Sequence, residues 1–299
     1  MKCKRCSAVA QIALPSHHTA FCPECFFLFF SRQVEKAIHK QFMFRPDERI
    51  LVALSGGKDS LALALQLQML GYTISGLHID LGIGESSRQA RELTEKFCKH
   101  FGIRLHVLET AQYGLAIPRV KAAVKRPVCS VCGQIKRYYF NWFALENGYD
   151  VLATGHNQDD ETARLMANVL SWDKEHLRDQ HPVLAAENGF VRKVKPLYLV
   201  SEYETTAFCV LKKINYGFAP CPYSQGASFT FYKELLAQLE KKQPSRKRSF
   251  YDRFLKEGRA CFTQPQTENP LGCCQQCGMP TSLELCPVCR LRQQLVGSE

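Results

Sequence analysis

The sequence predicts an α/β fold, in which a doubly wound, mostly parallel sheet carries a small cysteine-rich module at each end. Three observations support this prediction. Strand-like apolar runs alternate with helix-like stretches from Asp47 onward. The apolar run 49–54 enters a helical stretch at 61–70 through a turn that contains Gly56 and Gly57. Paired Cys-x-x-Cys motifs stand near both termini, outside the alternating region.

The chain is strongly basic and rich in cysteine. Its 299 residues include 39 Lys and Arg against 28 Asp and Glu, a formal charge of +11. Such an excess favours a polyanionic partner, either RNA or an anionic membrane surface. No apolar run reaches the roughly 18 residues that a membrane-spanning helix needs, and the first residues lack the apolar stretch of a signal peptide. The 15 cysteines therefore point to metal binding rather than to disulfides.

The other predicted strands are 74–80, 104–108 and 151–155. The other predicted helices are 86–101, 158–170, 201–215 and 229–242, and a further one that follows Cys132 and ends near Asn147. We expect Ser86 to act as the N-cap of its helix. An aromatic cluster at 26–30 predicts the start of a helix that runs to about Phe42 and docks the N-terminal module on the main domain, since clustered aromatic residues are mostly core.

Residues 55–60 read Ser-Gly-Gly-Lys-Asp-Ser between a predicted strand and a predicted helix. A strand that enters a helix through such a turn directs several backbone N–H groups at one point, and the helix dipole adds partial positive charge there. The two glycines allow the backbone to approach a ligand closely. The spacing differs from that of a Walker A loop. The turn therefore predicts a phosphate site, and the alternative is an ordinary glycine turn.

Polar residues follow other predicted strands at the same edge of the sheet. His78 and Asp80 end the second strand, and residues 154–160 follow the fourth. Because ligands of such sheets bind at the carboxyl ends of the strands, one nucleotide pocket is the simplest explanation for these segments and for the glycine turn. Taken singly, His78 and Asp80 could equally be a hydrogen-bonded edge histidine and a helix cap.

Eleven of the cysteines fall into three sets. These are Cys3, Cys6, Cys22 and Cys25; then Cys129, Cys132 and the distant Cys221; then Cys274, Cys277, Cys286 and Cys289. The two terminal sets have the pair spacing of four-thiolate zinc sites, and they predict a zinc ribbon at each end, with Cys273 as an alternative to Cys274. The middle set is one thiolate short of a closed site. By itself it fits an iron–sulfur cluster with one open iron, a redox pair or a disulfide-exchange pair.

Several motifs together carry a family resemblance. Residues 55–60 resemble the PP-loop of the N-type ATP pyrophosphatases, written SGGxDS, which split ATP into AMP and pyrophosphate. Residues 155–163 resemble the GHNxDDxxE/A segment of the tRNA-thiolating members. With Cys-x-x-Cys-Gly at 129–133, Cys-Pro-Tyr at 221–223 and the terminal zinc modules, the chain resembles the TtuA family of tRNA 2-thiouridine synthetases over nearly its whole length.

The resemblance implies a Rossmann-like PP-loop domain and a set of site residues. The implied nucleotide-binding residues are Leu54, Ser55, Gly56, Gly57, Lys58, Asp59, Ser60, His78 and Gly155. The implied catalytic residues are Asp59, Lys136, Asp160, Cys129 and Cys132. Asp159 and Asp160 are candidates to hold Mg²⁺, and the resemblance favours Asp160; the alternative is that both only charge the first turn of a helix. For Lys136 the alternative is a surface lysine.

The resemblance further implies that Cys129, Cys132 and Cys221 hold a 4Fe-4S cluster whose open iron carries sulfur, whereas related two-cysteine enzymes use persulfides. The implied reaction is ATP-dependent 2-thiolation of a tRNA uridine. The uracil C2 oxygen attacks the α-phosphate and pyrophosphate leaves; sulfur then attacks C2 and AMP departs. The implied sulfur donor is a ubiquitin-like protein thiocarboxylate or sulfide. The sequence leaves open whether uridine 54 or wobble uridine 34 is modified.

Two other functions stay open at this point. A PP-loop synthetase that amidates or ligates a small molecule would leave the middle cysteine set without a role. A zinc-ribbon RNA-binding protein without catalysis is opposed by the intact turn at 55–60. We expect a cytoplasmic protein without membrane attachment, and a homodimer is an open alternative to a monomer.

The chain is expected to divide into an N-terminal zinc ribbon at 1–30, a PP-loop catalytic domain with a helical C-terminal part at 31–250, and a C-terminal zinc ribbon at 251–299. The basic residues of segment 241–248 are Lys241, Lys242, Arg246, Lys247 and Arg248. We expect this segment to form a loop because it contains Pro244. Contact with phosphates and a solvated run of charge are equal alternatives for it.

Overall fold

The structure, a computed structural model, describes residues 1–217, 221–223, 228–262 and 271–296. Its strands are β1 (Ile12–Leu14), β2 (Thr19–Phe21), β3 (Ile50–Leu54), β4 (Ile74–Asp80), β5 (Arg104–Glu109), β6 (Val151–Ala153), β7 (Val183–Leu184), β8 (Arg192–Val194), β9 (Gly272–Cys273) and β10 (Pro280–Thr281). Its α-helices are α1 (Pro23–Lys40), α2 (Lys58–Met69), α3 (Gly84–Phe101), α4 (Ile117–Ala123), α5 (Val128–Glu146), α6 (Gln158–Leu170), α7 (Lys174–Asp179), α8 (Glu202–Leu211), α9 (Ser228–Lys242), α10 (Arg246–Arg253) and α11 (Pro287–Val296).

Six of these strands form one sheet in the order β5-β4-β3-β6-β8-β7, and β7 is antiparallel to β8 while the other pairs are parallel. In β3, Ile50, Val52 and Leu54 enter one hydrophobic core and Leu51 enters a second core on the opposite face. A strand buried on both faces shows a continuous apolar run, which is the pattern that the sequence has here. The predicted doubly wound, mostly parallel α/β fold is confirmed.

The start of α3 differs from its prediction. The helix begins at Gly84, and the hydroxyl that accepts the backbone N–H of Ile83, at 2.9 Å, belongs to Ser87. Ser86 as N-cap is therefore wrong, because the chain is already helical at that residue and the neighbouring serine makes the polar contact.

Helix α1 joins the N-terminal module to the central domain. It starts between the last two cysteines of the module and runs to Lys40. Phe26 and Phe30 are fully buried, and the ring of Phe30 stacks on Phe208 of α8 with centroids 4.3 Å apart. The predicted docking helix is confirmed, since these rings belong to the same core as β3.

Helix α10 forms where the basic loop was predicted. Lys247 is buried, and its ammonium pairs with the carboxylate of Asp159 on α6. The hydroxyl of Tyr251 donates to Oε2 of Glu161 at 2.7 Å. The prediction of a loop is confirmed only for residues 243–245, which form the turn between α9 and α10. It is wrong from Arg246 onward, because these two buried contacts hold α10 against α6, while Lys241, Lys242 and Arg246 stay exposed.

The C-terminal module packs on the opposite side of the sheet from α10. It contains the short β9–β10 hairpin and α11. Helix α11 lies against α4 and α5, where the guanidinium of Arg292 donates to the hydroxyl of Tyr139 at 2.7 Å. Tyr251 and Phe254, which fall within the predicted C-terminal ribbon, instead join the core that contains β3. Residues 263–270 and 297–299 of the predicted C-terminal ribbon lie outside the described residues. Among the described helices, none is both long and apolar enough to cross a membrane.

Candidate active site and metal centres

Residues 55–60 form a tight turn between β3 and α2. The hydroxyl of Ser60 accepts the backbone N–H of Ser55 at 3.2 Å and donates to the carbonyl of Gly57 at 2.8 Å. Gly56 has a φ of +77°, and a Cβ there would lie 2.8 Å from the carbonyl oxygen of Ala90. Glycine is therefore required both for the backbone conformation and for the close approach of α3. The turn opens into the N-terminus of α2, where the first N–H groups carry partial positive charge.

Asp59 is oriented by side chains from three elements. Its Oδ1 accepts hydrogen bonds from the hydroxyl of Thr205 at 2.6 Å and from the amide of Asn157 at 3.0 Å. Its Oδ2 lies 3.1 Å from the ammonium of Lys58. Asn157 is itself fixed, because it exchanges side-chain and backbone hydrogen bonds with Asp160 in a capping box at the start of α6. The carboxylate of Asp59 thus has an orientation set by α6 and α8.

Gly155 allows the end of β6 to meet the turn. A Cβ on Gly155 would lie 2.8 Å from the backbone nitrogen of Ser60, so a larger residue would push the two segments apart. This close approach brings residues 154–160 to the turn, as the shared sheet edge predicted.

The ammonium of Lys58 bridges two carboxylates, lying 2.7 Å from Oε1 of Glu202 as well as close to Asp59. Burial alone would lower the pKa of Lys58, but these two carboxylates raise it above its usual value. Lys58 therefore stays charged at neutral pH, and it ties the turn to the start of α8.

Asp159 and Asp160 have different partners. Asp159 is buried, pairs with Lys247 and accepts the backbone N–H of Glu202 at 2.7 Å. Asp160 is half-buried, and its Oδ1 lies 2.6 Å from the ammonium of Lys233 on α9, which also lies 3.0 Å from Glu202. Burial alone would lower the pKa of Lys233, but Asp160 and Glu202 raise it. Each aspartate therefore has one oxygen beside a lysine and the other on a backbone N–H, since Oδ2 of Asp160 accepts that of Asn157 at 3.0 Å. Asp160 is the more exposed of the two.

A cavity of about 630 Å³ opens beside the turn. The predicted site residues that line it are Leu54, Ser55, Gly56, Gly57, Asp59, Ser60, His78, Cys132, Lys136, Gly155 and Cys221. Lys58, Cys129 and Asp160 are not among its lining residues. Its volume is in the range of small-molecule sites. The carboxyl ends of β3, β4 and β6 thus meet at one pocket, as the sequence predicted.

His78 presents an unpaired nitrogen in this cavity wall. The side chain is buried, and its Nδ1 lies 2.9 Å from the carbonyl oxygen of Leu54. In the part of the chain that the structure describes, Nε2 has no hydrogen-bond partner. Burial lowers the pKa of His78, so the ring is neutral at physiological pH. With Nδ1 as the donor, Nε2 is an acceptor available to a bound ligand.

The cavity also contains positive charge that the sequence did not single out. Lys193 and Arg137 line it beside Lys136. Burial, together with the charges of Lys195 and Arg137, lowers the pKa of Lys193 to about 8. Three basic side chains on one wall of the cavity favour the binding of an anion there. Lys193 lies on a three-residue strand and Arg137 within a helix, and neither position carries a motif.

His156 is a further residue of the cavity wall, to which the sequence pattern assigned no separate role. Its Nδ1 lies 2.8 Å from the hydroxyl oxygen of Thr154. Burial and the charges of Lys193 and Lys195 hold the pKa of His156 well below its usual range. The ring is therefore neutral, and the GHN signature in the sequence could have identified it.

Of the three middle cysteines, Cys132 and Cys221 line the cavity and Cys129 does not. Cys129 and Cys132 lie one helical turn apart at the start of α5, and Sγ of Cys129 donates to the carbonyl of Tyr223 at 3.2 Å. Burial raises the pKa of the Cys132 thiol, Lys136 lowers it, and charge on Cys221 or Cys129 raises it further. Of the segment before Cys221, residues 218–220 lie outside the described residues. The assembly of these three thiols into one ligand set stays a prediction.

Two family models match the chain. A model of the PP-loop domain matches residues 29–220, and a model of the N-terminal LIM domain of 2-thiouridine synthetase TtuA matches residues 2–27. The chain is 41% identical to the tRNA-5-methyluridine(54) 2-sulfurtransferases of Thermus thermophilus and Pyrococcus horikoshii, over 97% of this chain and 91% and 93% of theirs. It superposes on the U34-tRNA thiolase NcsA from Methanococcus maripaludis, solved with its 4Fe-4S cluster, with a TM-score of 0.83, 26% identity and coverage of 99% of this chain and 96% of that one.

The chain belongs to the TtuA family. This confirms the predicted family, the PP-loop domain and the assignment of the chain as an ATP-dependent tRNA sulfurtransferase. The two alternatives, a small-molecule synthetase and an RNA-binding protein without catalysis, receive no support from these relatives.

Both terminal cysteine sets of this TtuA-family chain are assembled for a metal ion. Within each set, a ligand sulfur from every cysteine lies within 4.8 Å of all the others. Sγ of Cys6 lies 3.6 Å from that of Cys22, and Sγ of Cys277 lies 3.7 Å from that of Cys286. A tetrahedral site with Zn–S bonds of about 2.3 Å has S···S edges of about 3.8 Å, so both sets fit a zinc ion.

Proposed function

We propose that this TtuA-family chain converts 5-methyluridine 54 of tRNA to its 2-thio form. One observation carries the proposal: a single cavity joins the PP-loop turn to Cys132 and Cys221. The relatives named for position 54 are 39–41% identical to the chain, against 26% for the enzyme named for position 34. This difference in similarity supports position 54.

The turn at 55–60 is the proposed site of the ATP phosphates, because its backbone N–H groups and the N-terminus of α2 suit an anion. His78 is the proposed contact for the rest of the nucleotide. Its unpaired acceptor Nε2 is matched by a donor such as the amino group of adenine. Leaving a buried acceptor unpaired is unfavourable, so a ligand donor here adds to nucleotide affinity.

Asp59 and Asp160 are the proposed ligands of the Mg²⁺ that accompanies ATP, since carboxylate oxygens suit this ion. Both are neutralised by lysines, Asp59 by Lys58 and Asp160 by Lys233. A divalent cation therefore competes with these ammonium groups for the carboxylates. Asp160 is favoured over Asp159 by the family resemblance and because its side chain is the more exposed of the two, 17% against 11%.

In the activation step, the C2 oxygen of the uracil bonds to the α-phosphorus and the α–β phosphoanhydride breaks, releasing pyrophosphate. Negative charge develops on the phosphates, and Lys136 is the proposed residue that offsets it, assisted by Arg137 and Lys193 in the same wall. In the second step, a sulfur–C2 bond forms and the C2–O bond breaks, so AMP leaves with the original oxygen.

Cys129, Cys132 and Cys221 are the proposed ligands of a 4Fe-4S cluster. When bound by three cysteines, such a cluster leaves one iron free to hold the incoming sulfur. Neither Cys209 nor Cys261 is among the residues that line the cavity, whereas Cys132 and Cys221 are. This difference supports three-cysteine ligation.

The terminal sets are the proposed sites of two structural Zn²⁺ ions, because four thiolates leave no open coordination position. The sulfur donor, a ubiquitin-like protein thiocarboxylate or sulfide, and a homodimer remain predictions. We also propose a cytoplasmic location, supported by the 29% identity to the cytoplasmic tRNA 2-thiolation protein 1 of Caenorhabditis elegans over 97% of this chain and 79% of that protein.

The test uses anaerobically purified full-length protein, whose metals and visible spectrum are measured first. It is then incubated with ATP, Mg²⁺, sulfide and unthiolated tRNA, and mass spectrometry of nuclease fragments locates the new sulfur. We expect iron and zinc in the protein, and 5-methyl-2-thiouridine only in the fragment that contains position 54. A tRNA with cytidine at position 54 is the matched control.

Sulfur at position 34 in both tRNAs would refute the proposed target nucleotide. An ammonia-dependent small-molecule product with no thiolated tRNA would refute the reaction. Thiolation by iron-free protein with a persulfide on Cys129 or Cys132 would leave the reaction standing and overturn the cluster.

A further inference from the structure

The tip of the β1–β2 hairpin, residues 15–18, lies in the interface between the N-terminal module and the catalytic domain. A short 3-10 helix, Pro15–His17, forms this tip, and His18 ends it in the left-handed region with a φ of 49°. The hairpin stands between the two cysteine pairs of the module, so a metal ion bound there holds both of its ends. The aromatic contacts of α1 already attach the module to the catalytic domain. The polar contacts of the tip are therefore not needed for that attachment.

One route from the tip leads to the PP-loop. Nε2 of His17 lies 3.0 Å from Oε1 of Glu204, whose side chain is only 3% exposed. The other carboxylate oxygen of Glu204 accepts the backbone N–H of Ser201 at 2.8 Å and closes the capping box of α8. Each oxygen of this buried carboxylate therefore has one polar partner. His17 is the partner of Oε1, and the backbone N–H of Ser201 is the partner of Oε2.

The next residue along α8 is Thr205, whose hydroxyl donates to Oδ1 of Asp59 at 2.6 Å. The position of the first turn of α8 thus decides where the Thr205 hydroxyl lies. A shift of this turn would lengthen a short hydrogen bond to a charged acceptor, and such bonds are among the stronger ones in proteins. Two contacts therefore connect the tip to the carboxylate of Asp59: His17 with Glu204, and Thr205 with Asp59.

A second route leads from the tip to the start of α6. The hydroxyl of Ser16 donates to Oε1 of Glu240 at 2.6 Å, and the hydroxyl of Ser245 donates to the carbonyl of Ser16 at 2.5 Å. Glu240 in turn accepts the backbone N–H of Lys247 at 2.9 Å, and the ammonium of Lys247 pairs with Asp159. The same tip therefore also braces the helix whose capping residue, Asn157, holds Asp59.

We propose that the N-terminal metal module positions Asp59 for ATP activation through His17, Glu204 and Thr205. His17 and Thr205 are positioning residues, since they act on the reacting groups through Asp59. The inference rests on the proposed role of Asp59 in the activation step. Its consequence is that the module acts on kcat for pyrophosphate release, in addition to any part it has in contacting tRNA.

The first test compares His17→Ala with His17→Gln, in which an amide can still donate to Glu204. The readouts are zinc content, the Kd of a non-hydrolysable ATP analogue, and kcat and KM for tRNA-dependent pyrophosphate release. We expect His17→Ala to keep its zinc and its nucleotide Kd while kcat falls about 10-fold, the scale of removing one hydrogen bond to a charged group. His17→Gln should recover most of that loss. The matched control, His18→Asn, changes an exposed histidine of the same tip to a residue that tolerates the left-handed region, and it should behave as wild type.

The second test is a double-mutant cycle between the tip and α8. Thr205→Val removes the hydroxyl and keeps the shape, and it should lower kcat by about 10-fold or more, whereas Thr205→Ser should keep it near the wild-type value. If His17 acts through Thr205, the double variant His17→Ala, Thr205→Val will be no slower than Thr205→Val alone.

Three outcomes would overturn the inference: an unchanged kcat in His17→Ala, independent effects that multiply in the double variant, or a loss of activity that follows a loss of zinc. Failure of the proposed function gives a different result, because wild-type protein itself would then release no pyrophosphate in the presence of tRNA.

Discussion

At the scale of single residues, the PP-loop site depends on the hydrogen bonds and ion pairs that orient each charged side chain. Asp59 receives two hydrogen bonds on one oxygen and an ammonium on the other. These contacts fix the direction of the carboxylate before any ligand arrives. Preorganised charge of this kind is the largest contribution that many active sites make to catalysis.

Replacing Asp59 with Asn tests this residue directly. The amide has a similar shape, so we expect the unfolding transition of the protein to change little. Loss of the negative charge should reduce tRNA-dependent pyrophosphate release roughly 100-fold or more, the scale typical of removing one preorganised electrostatic interaction from an active site. The exposed residue Asp47, changed to Asn, is the control, and it should retain wild-type activity. Equal pyrophosphate release by both variants would contradict the assignment.

Lys193 yields a prediction about pH. Its pKa in the folded protein is lowered to about 8 by burial and by Lys195 and Arg137, whereas an unfolded lysine titrates near 10.4. Between these values the unfolded chain binds more protons, so this residue makes the free energy of unfolding rise with pH from about 8 to about 10. Below pH 8 both states are protonated and the crowded charge destabilises the fold.

Denaturant titrations of wild type and Lys193→Met at pH 7, 8, 9 and 10 measure this effect. We expect the variant to be more stable than wild type at pH 7, and the difference to shrink as pH rises toward 10. Lys241→Met, at an exposed position, is the control for the loss of one positive charge. A difference between wild type and Lys193→Met that does not vary with pH would show that Lys193 titrates normally.

At the scale of elements, helix α10 shows why a basic sequence segment is not automatically a nucleic-acid contact. The segment contains five Lys and Arg residues, but the fourth of them, Lys247, is buried against Asp159. Arg248 is also engaged, with its Nε 3.8 Å from Asp252. Lys241, Lys242 and Arg246 remain exposed and available to phosphates.

The buried pair predicts a large effect on stability. Lys247→Met leaves Asp159 as a buried, unpaired carboxylate, and breaking such a pair from one side typically costs about 3 kcal/mol or more of unfolding free energy. Arg246→Met, one residue away and exposed, should change it by less than about 0.5 kcal/mol. Denaturant unfolding of both variants measures the difference. If the two changes are equal, the Lys247–Asp159 pair does not stabilise the fold.

The exposed charges of the same segment predict an effect on tRNA binding. Replacing Lys241, Lys242 and Arg246 together should reduce the slope of log affinity against log salt by up to about 3, at about 0.9 or less for each phosphate that these side chains no longer neutralise. Binding titrations at several salt concentrations measure this slope. A slope equal to that of wild type would mean that these three residues form only a solvated surface.

At the scale of the whole molecule, the two terminal modules support different cores. The N-terminal module continues into α1, whose phenylalanines belong to the core with β3 and α8. The C-terminal module contributes Cys274, Cys286 and Cys289 to the core on the other face, where Val131 and Ile135 of α5 also lie. Helix α5 carries Cys129 and Cys132, so the C-terminal module lies behind the middle cysteines.

The three cysteine sets should therefore respond separately to substitution. Alanine at Cys129, Cys132 or Cys221 should remove iron and thiolation but leave zinc and the cooperative unfolding transition, because the central domain has its own core. Alanine at Cys3 or Cys274 should lose about one zinc and loosen one module, since a small module depends on its metal for folding energy. Metal analysis with thermal unfolding distinguishes these results. Loss of zinc in Cys129→Ala would contradict the separation.

The sequence by itself predicted the features that depend on neighbours along the chain. The glycine turn at 55–60, the apolar run of β3 and the cysteine pairs are each set by a few adjacent residues, because backbone conformation and ligand spacing are local properties. The parallel sheet followed from the alternation of such segments, and the common cavity followed from the rule that strand ends share one edge.

Tertiary structure alone decided which side chains support those features. Thr205 lies 146 residues from Asp59 in the chain, and Lys247 lies 88 residues from Asp159. No local pattern marks a threonine that will donate to a distant carboxylate, or a lysine of a basic run that will be buried. Such partners are selected by the packing of α8 and α10 against the PP-loop domain, since burying a charge is favourable only where the fold supplies the opposite charge or a hydrogen bond.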